Sequence, residues 1–249
     1  MPVHCRLPAL TLLCAAALHP AAALAQWSGS VSAVSEYRYR GTALSDGKPS
    51  LQAGVAYDAG AGWYAGGFAA ATRLAGRGGA QLLAYGGRAG RLANGMSWDA
   101  GLSAVRLTRD GHGNGRDYGQ DYGNYEELYA GLSRGGAGGG VTARASWSPR
   151  HGASEARTLY CEVDAGIALL DEVDAFVHAG TLRALSGRRP PQRADLRIGL
   201  SARFGAFGVQ LAWLRDNHRP ASFQSSAGAY GYARQPSPQA VVVSVSRGF

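Results

Sequence analysis

Almost the whole chain after its first 26 residues is written in short segments where apolar and polar residues alternate. The first, residues 27–41, sets the pattern. One face carries Trp27, Gly29, Val31, Ala33, Ser35, Tyr37 and Tyr39. The other carries Ser28, Ser30, Ser32, Val34, Glu36, Arg38 and Arg40. A period of two belongs to a β-strand, whose successive side chains point to opposite sides. At about 3.3 Å per residue and a tilt of roughly 40°, Trp27 and Tyr37 would stand about 25 Å apart along a membrane normal, the height of the apolar band between two aromatic girdles. The spacing predicts a membrane-crossing strand with aromatic ends towards lipid and a polar row towards an interior.

Residues 1–25 read as a cleaved secretory signal. Arg6 supplies a positive start, 7–18 form an apolar core, and Ala23-Leu24-Ala25 gives a small-x-small cleavage site. His19 and Pro20 leave the apolar run too short to span a bilayer. Leu13 stands before Cys14 where a lipoprotein signal needs a small residue. The mature chain, 26–249, then fits one domain with a single thiol, Cys161, and no intrachain disulfide. Cys161 falls on an apolar strand face, where packing is its expected role. The formal charge is +8 with one lysine, Lys48. The arginines are scattered at strand-like intervals and the chain is exported, so nucleic acid is not an expected partner. No run of 18 apolar residues follows the signal. If the mature chain crosses a membrane it must do so as a closed barrel, where every backbone group is paired.

Alternating segments recur at 50–58, 63–74, 80–92, 96–108, 124–134, 141–148, 156–169, 173–185, 194–204, 207–216 and 240–249. With the first, they make about twelve strands, the even number of a single-chain bacterial barrel. Tight turns such as 59–62, 93–95, Asp171-Glu172 and Gly205-Ala206 alternate with longer polar connections at 41–49, 109–122 and 217–239. That asymmetry matches short periplasmic turns and longer extracellular loops. The expected fold is all-β, a transmembrane antiparallel up-and-down barrel in the Gram-negative outer membrane. Val241, Val243, Val245 and Phe249 share one face of the last segment, and the chain ends on Phe249. A final amphipathic strand ending in Phe is similar to the signal read by the barrel-assembly machinery, an expected partner. Arg247 interrupts that face where its side chain can snorkel to the headgroups.

Ser35-Glu36-Tyr37-Arg38-Tyr39-Arg40-Gly41, followed by Ser45-Asp46-Gly47-Lys48-Pro49-Ser50-Leu51-Gln52, resembles the opening of the TorF-type porins of proteobacterial outer membranes. Asn124-Tyr125-Glu126-Glu127-Leu128-Tyr129-Ala130-Gly131 and the closing Ser244-Val245-Ser246-Arg247-Gly248-Phe249 resemble the same family. The resemblance implies an outer-membrane barrel with a pore.

Glu36, Arg38, Arg40, Glu127, Tyr129, Arg144, Glu162, Asp164, Asp195, Arg197 and Arg203 fall on the polar faces and are the expected pore lining. Their field would bias which ions enter, and excess arginine points to anions. Equally, opposite charges can pair across a lumen and fill it, as side chains fill barrels of about eight strands. The chemistry expected is passive diffusion of small hydrophilic solutes, with no cofactor, no metal and no covalent step. The rivals are a non-conducting structural or interaction barrel and a lipid-active enzyme. Among His112, His151, His178 and His218, only His178 is expected mid-strand, and no Ser stands near any of them in a recognisable motif. Residues 110–115 faintly resemble a calcium loop, but His112 and Arg116 replace oxygen ligands. Gly111 and Gly113 precede no helix and form no phosphate cradle. Outer-membrane lipid and lipopolysaccharide complete the expected partners.

Overall fold

The alternation closes on itself. In a computed structural model that describes residues 26–74, 76–108, 124–136, 138–152, 156–186, 192–217 and 237–249, the chain is almost all strand. In order these are β1 (Gln26–Val34), β2 (Arg38–Tyr39), β3 (Thr42–Ala43), β4 (Ser50–Gly60), β5 (Trp63–Leu74), β6 (Arg77–Arg91) and β7 (Ser97–Leu107). There follow β8 (Tyr125–Gly136), β9 (Gly139–His151), β10 (Ala156–Leu170), β11 (Val173–Ala184), β12 (Arg193–Phe204), β13 (Phe207–Asp216) and β14 (Gln239–Gly248). Twelve of them form one closed barrel, each antiparallel to its neighbour in sequence, with β1 pairing β4 on one side and β14 on the other. The remaining two, β2 and β3, pair only with each other. The signal-peptide reading, the calcium-like run at 110–115 and most of the long connection at 217–239 lie outside the described residues.

Pleating sorts the side chains as the alternation requires. Trp27, Val31, Leu51, Val55, Leu102, Leu128, Val163, Ile198, Leu211 and Val241 are large apolar side chains left exposed on the outer face. Between Leu159 and Leu169 of β10, outward positions cover roughly 25 Å, one apolar band of a bilayer. Trp27, Trp63 and Trp98 open β1, β5 and β7 at the short-turn end. Trp147 and Trp213 stand near the far ends of β9 and β13, at the long-loop end. Two aromatic girdles therefore bound the band.

The first segment departs from expectation. Strand β1 stops at Val34, and 35–49 turn inward as a separate piece carrying β2 and β3. Tyr37, expected on the lipid face, is 3% exposed, and Tyr39 is covered too, facing Arg40. The reason is local turn chemistry. Arg40 and Gly41 both have positive φ, 49° and 72°, in a two-residue hairpin turn, and Asp46 and Gly47 repeat the pattern at 50° and 68°. Two such turns within eight residues cannot belong to one straight crossing.

The seam between β1 and β14 completes the barrel. Gly29 and Phe249 exchange backbone hydrogen bonds of 2.9 and 3.0 Å. The Phe249 ring lies where a Cβ on Gly29 would be, so only glycine fits there without displacing the ring. Gly29→Val is expected to reduce the folded fraction in heat-modifiability electrophoresis, and adding Phe249→Ala is expected to restore part of it. An unchanged folded fraction in the single variant would refute this account of the seam.

Candidate functional site

Side chains on strands that are not neighbours can touch only through the barrel interior, and they do so at several levels. The Tyr64 hydroxyl on β5 lies 2.8 Å from the Tyr129 hydroxyl on β8 and donates to Asp99 of β7 at 3.3 Å. Arg144 of β9 donates to Asp99 at 2.8 Å and lies over the Tyr129 ring at 4.8 Å. Further round the wall, both ring nitrogens of His178 on β11 face carboxylates on the neighbouring strands: Nδ1 lies 2.8 Å from Asp164 of β10, and Nε2 lies 2.9 Å from Asp195 of β12. The Tyr160 hydroxyl is close to both His178 and Asp195. Its ring is accommodated because Gly180, diagonal to it on β11, has no Cβ to collide with the phenol.

Residues 35–49 cross the space between these walls. Ser35 extends the seam, donating its N–H to the Val243 carbonyl at 2.9 Å. The chain then leaves the wall. Tyr37 and Leu44 bond through the Leu44 N–H and Tyr37 carbonyl at 2.8 Å and pack with Val34 and Ala70 as an apolar plug core. The Tyr37 hydroxyl bonds Gln81 on β6, and burial raises its pKa well above the ordinary phenol value, so it remains a neutral partner there. At the Arg40–Gly41 tip, Gly41 rests against Asp195 and Asp216 on β12 and β13. The segment thus touches β5, β6, β8, β12, β13 and β14.

Two arginines pin it. Arg38, its side chain 3% exposed, bonds Glu36 and Asp216 at 2.7 Å each and the Ser237 carbonyl at 2.7 Å. Arg40 makes a bidentate pair with Glu127 of β8 at 2.5 and 2.9 Å, and its guanidinium lies over the Tyr160 ring at 4.2 Å. The planar fork matches the carboxylate, and the ring face adds a second cationic contact. Arg193 of β12 bonds Thr42.

All eleven residues of the expected lining lie on the inner side, but not as one ring. Glu36, Arg38 and Arg40 belong to the infolded segment and not to a wall strand. Arg203 sits at the short-turn rim, paired with Glu172 at 2.8 Å. Tyr64, Asp99, Tyr160, Arg193 and Asp216 complete the network without having been singled out. Asp46-Gly47, a strong hairpin signal, could have marked the inward turn. The cross-lumen partners had no signal at all, because their spacing along the chain is arbitrary. His151, expected in a loop, ends β9 and stacks on Tyr125 at 4.2 Å.

A small pocket of mixed lining remains beside the segment, with Glu36, Arg38, Gln52 and Arg197 on one part and Val34, Ala212, Leu214 and Val242 on another. The Arg197 Nε facing this region is buried without a hydrogen-bond partner. Glu162, Asp164 and His178 bring three donor atoms within 4.8 Å of one another. Asp164 and His178 already bond each other, however, and Arg40, Arg144 and Arg197 all act on the cluster electrostatically. The group reads as an ion-pair network.

A closed twelve-stranded antiparallel barrel with an apolar coat and a polar, charged interior is the architecture of bacterial outer-membrane barrels. A KdgM porin aligns at TM-score 0.54 over 89% of this chain and 99% of its own, at 10% identity. The same holds for a structure described as the KdgM porin in complex with disordered oligogalacturonate. The COG4313 outer membrane channel from Pseudomonas putida F1 aligns at 0.51, over 90% of this chain and 95% of its own, at 9% identity. No curated protein matches the sequence. The chain belongs to the Gcw_chp family, described as bacterial protein of unknown function, whose pattern covers residues 19–249.

Removing Arg40 would leave Glu127, 2% exposed, as a buried carboxylate without its cation. Arg40→Ala is expected to cost about 3–5 kcal/mol of stability, and Arg40→Ala/Glu127→Ala much less, measured by denaturant unfolding in detergent. Equal losses in the single and double variants would show that the pair is not what holds the segment.

Proposed function

We propose that the protein is a passive channel of the bacterial outer membrane for small hydrophilic solutes, constricted by its own residues 35–49. The observation that carries this reading is the contrast between an apolar exterior and an interior whose walls and infolded segment are lined by charged and hydroxyl groups. A wetted passage uses the field of such groups, and the pairs that Arg38 and Arg40 make across it narrow it. The likeness of the fold to porins and channels, and the resemblance of Glu36 to Gly41 to the TorF-type porins, support the same reading. The N-terminus and short turns would face the periplasm, with the long connections outside. Phe249, seated on the seam, would present the last strand to the assembly machinery.

Selectivity is expected to be weak. Arg38, Arg40 and Arg144 are matched by Glu36, Asp216, Glu127 and Asp99. Among the described residues, Arg193 and Arg197 on β12 have no carboxylate within ion-pair distance, the feature of this lumen that suits an anionic solute. Catalysis is not part of the proposal: both ring nitrogens of His178 are engaged by carboxylates, and Nε2 also meets the Tyr160 hydroxyl, in a network that ties three strands together. The firm anchoring of 35–49 on several walls favours one second reading, a barrel that the segment closes.

Planar-bilayer recording separates the two. Small conductance steps are expected from the wild type, and larger ones from Arg38→Ala/Arg40→Ala, in which the segment loses both pins. In a salt gradient the wild-type reversal potential should lie near zero, and Arg197→Gln should move it towards cations. Silence of both proteins over a wide voltage range would sink the channel reading.

A further inference from the structure

The net charge is +8, and among the described residues more arginines are exposed outside the lumen than lie within it. Their densest part lies on the outer face at the long-loop end, across five adjacent strands. Arg106 of β7 and Glu126 of β8 form an exposed ion pair there, their side chains 47% and 58% exposed. Next along the wall are three exposed arginines, Arg150, Arg157 and Arg183. A bulge between β9 and β10 sets Pro149 and Arg150 opposite Arg157, since Ala156 pairs His151 and Thr158 pairs Ser148. Arg183 pairs Leu159, which makes it the diagonal neighbour of Arg157. Opposite and diagonal positions lie about 4.5–8 Å apart at Cβ, so three guanidinium groups share one small area. Among the described residues, Glu126 is the one acidic side chain on the outer face of these five strands.

Three like charges in close array repel one another and are retained only where something compensates them. The strands themselves say at what depth this happens. Trp147 pairs Leu159 and Leu128, and these residues form the upper edge of the apolar band. Arg150 and Arg157 stand one step beyond it, at headgroup height, and Arg183 stands level with Leu159 at its edge. The short-turn rim differs. Arg88 lies over the Trp63 ring at 5.7 Å and Arg247 over the Phe207 ring at 5.9 Å, each on a separate part of the wall. Single arginines on aromatic rings anchor a barrel at an interface. A clustered set at one rim provides a site.

We propose that Arg150, Arg157 and Arg183 form a docking surface for the phosphate groups of a phosphorylated glycolipid in the outer leaflet, of the lipid A type. Planar guanidinium forks take phosphate oxygens in pairs, and the acyl chains of the same lipid lie along Leu128, Trp147 and Leu159 below. The site rests on the outer-membrane reading but not on conduction. Each exposed contact is modest, and together they give a preference of about tenfold over the same lipid without phosphate.

The test is binding of lipid A to the purified protein in non-ionic detergent, read by native mass spectrometry, with dephosphorylated lipid A and phosphatidylglycerol as the comparison probes. Lipid A with both phosphates should bind most tightly, and raised salt should weaken it. The variant R150Q/R157Q/R183Q should lose the preference while keeping its heat-modifiable mobility. Should that variant fail to fold, R157Q alone should weaken binding several-fold. Equal binding of phosphorylated and dephosphorylated lipid A, an undiminished preference in the variants, or equal binding of phosphatidylglycerol would each overturn the proposal. Conductance recorded on the same preparations tests the channel reading separately, so a protein that conducts but ignores the phosphates refutes only the docking surface.

Discussion

Everything in this molecule depends on closing a hydrogen-bond ladder in a place where water cannot help. A strand in hydrocarbon must pair every N–H and C=O, and an open edge would leave a row of them unsatisfied at several kcal/mol each. The closure of β1 on β14 removes both edges at once. It is also the most distant pairing in the chain, joining the ends of the barrel sequence. Its last rung, between Gly29 and Phe249, combines backbone bonds with a ring that uses the space a side chain would fill. Once the ladder is closed, the two sides of every strand face different solvents, and the alternation acquires its meaning.

Closure also creates a problem of volume. The inner sides of twelve strands enclose more space than their own side chains fill. The infolded 35–49 segment occupies part of it, and its attachment is ionic where the walls are ionic and apolar where they are apolar. Arg38 and Arg40 reach Asp216 and Glu127 on different walls, while Tyr37 and Leu44 pack near Phe68 and Ala70. The constriction is therefore coupled to the walls on several sides, and its position is set by pairs whose rupture would leave buried carboxylates unmatched.

Charge is divided between two surfaces with different tasks. Inside, acidic and basic side chains are interleaved and mostly paired, as the Arg144–Asp99 and His178–Asp164 contacts illustrate. Outside, arginine predominates at the rims. A composition-level reading of the basic pI assigns the surplus to the lumen and hence to anion preference. Among the described residues the strand faces assign more of the arginines to the outer surface than to the lumen, because each arginine's side of the sheet, not its number, decides what it meets.

The sequence by itself determined the class of fold, the number of barrel strands and the side of each barrel strand that faces lipid. Those follow from a period-two pattern and from turn residues, which are local properties. Leu51, Val163 and Val241 are outside and Glu127, Arg144 and Asp195 inside for that reason alone. Only the tertiary structure decided where the first crossing ends and what its charged half does. The alternation runs unbroken past Val34, so Glu36, Arg38 and Arg40 read as more of the same face. The positive-φ turns at Arg40–Gly41 and Asp46–Gly47, and partners 87 and 178 residues away, instead draw them into the lumen. A hydrophobic period records which side of a strand is apolar. It carries no record of which distant carboxylate an arginine will find, because that pairing is made by the closure of the barrel.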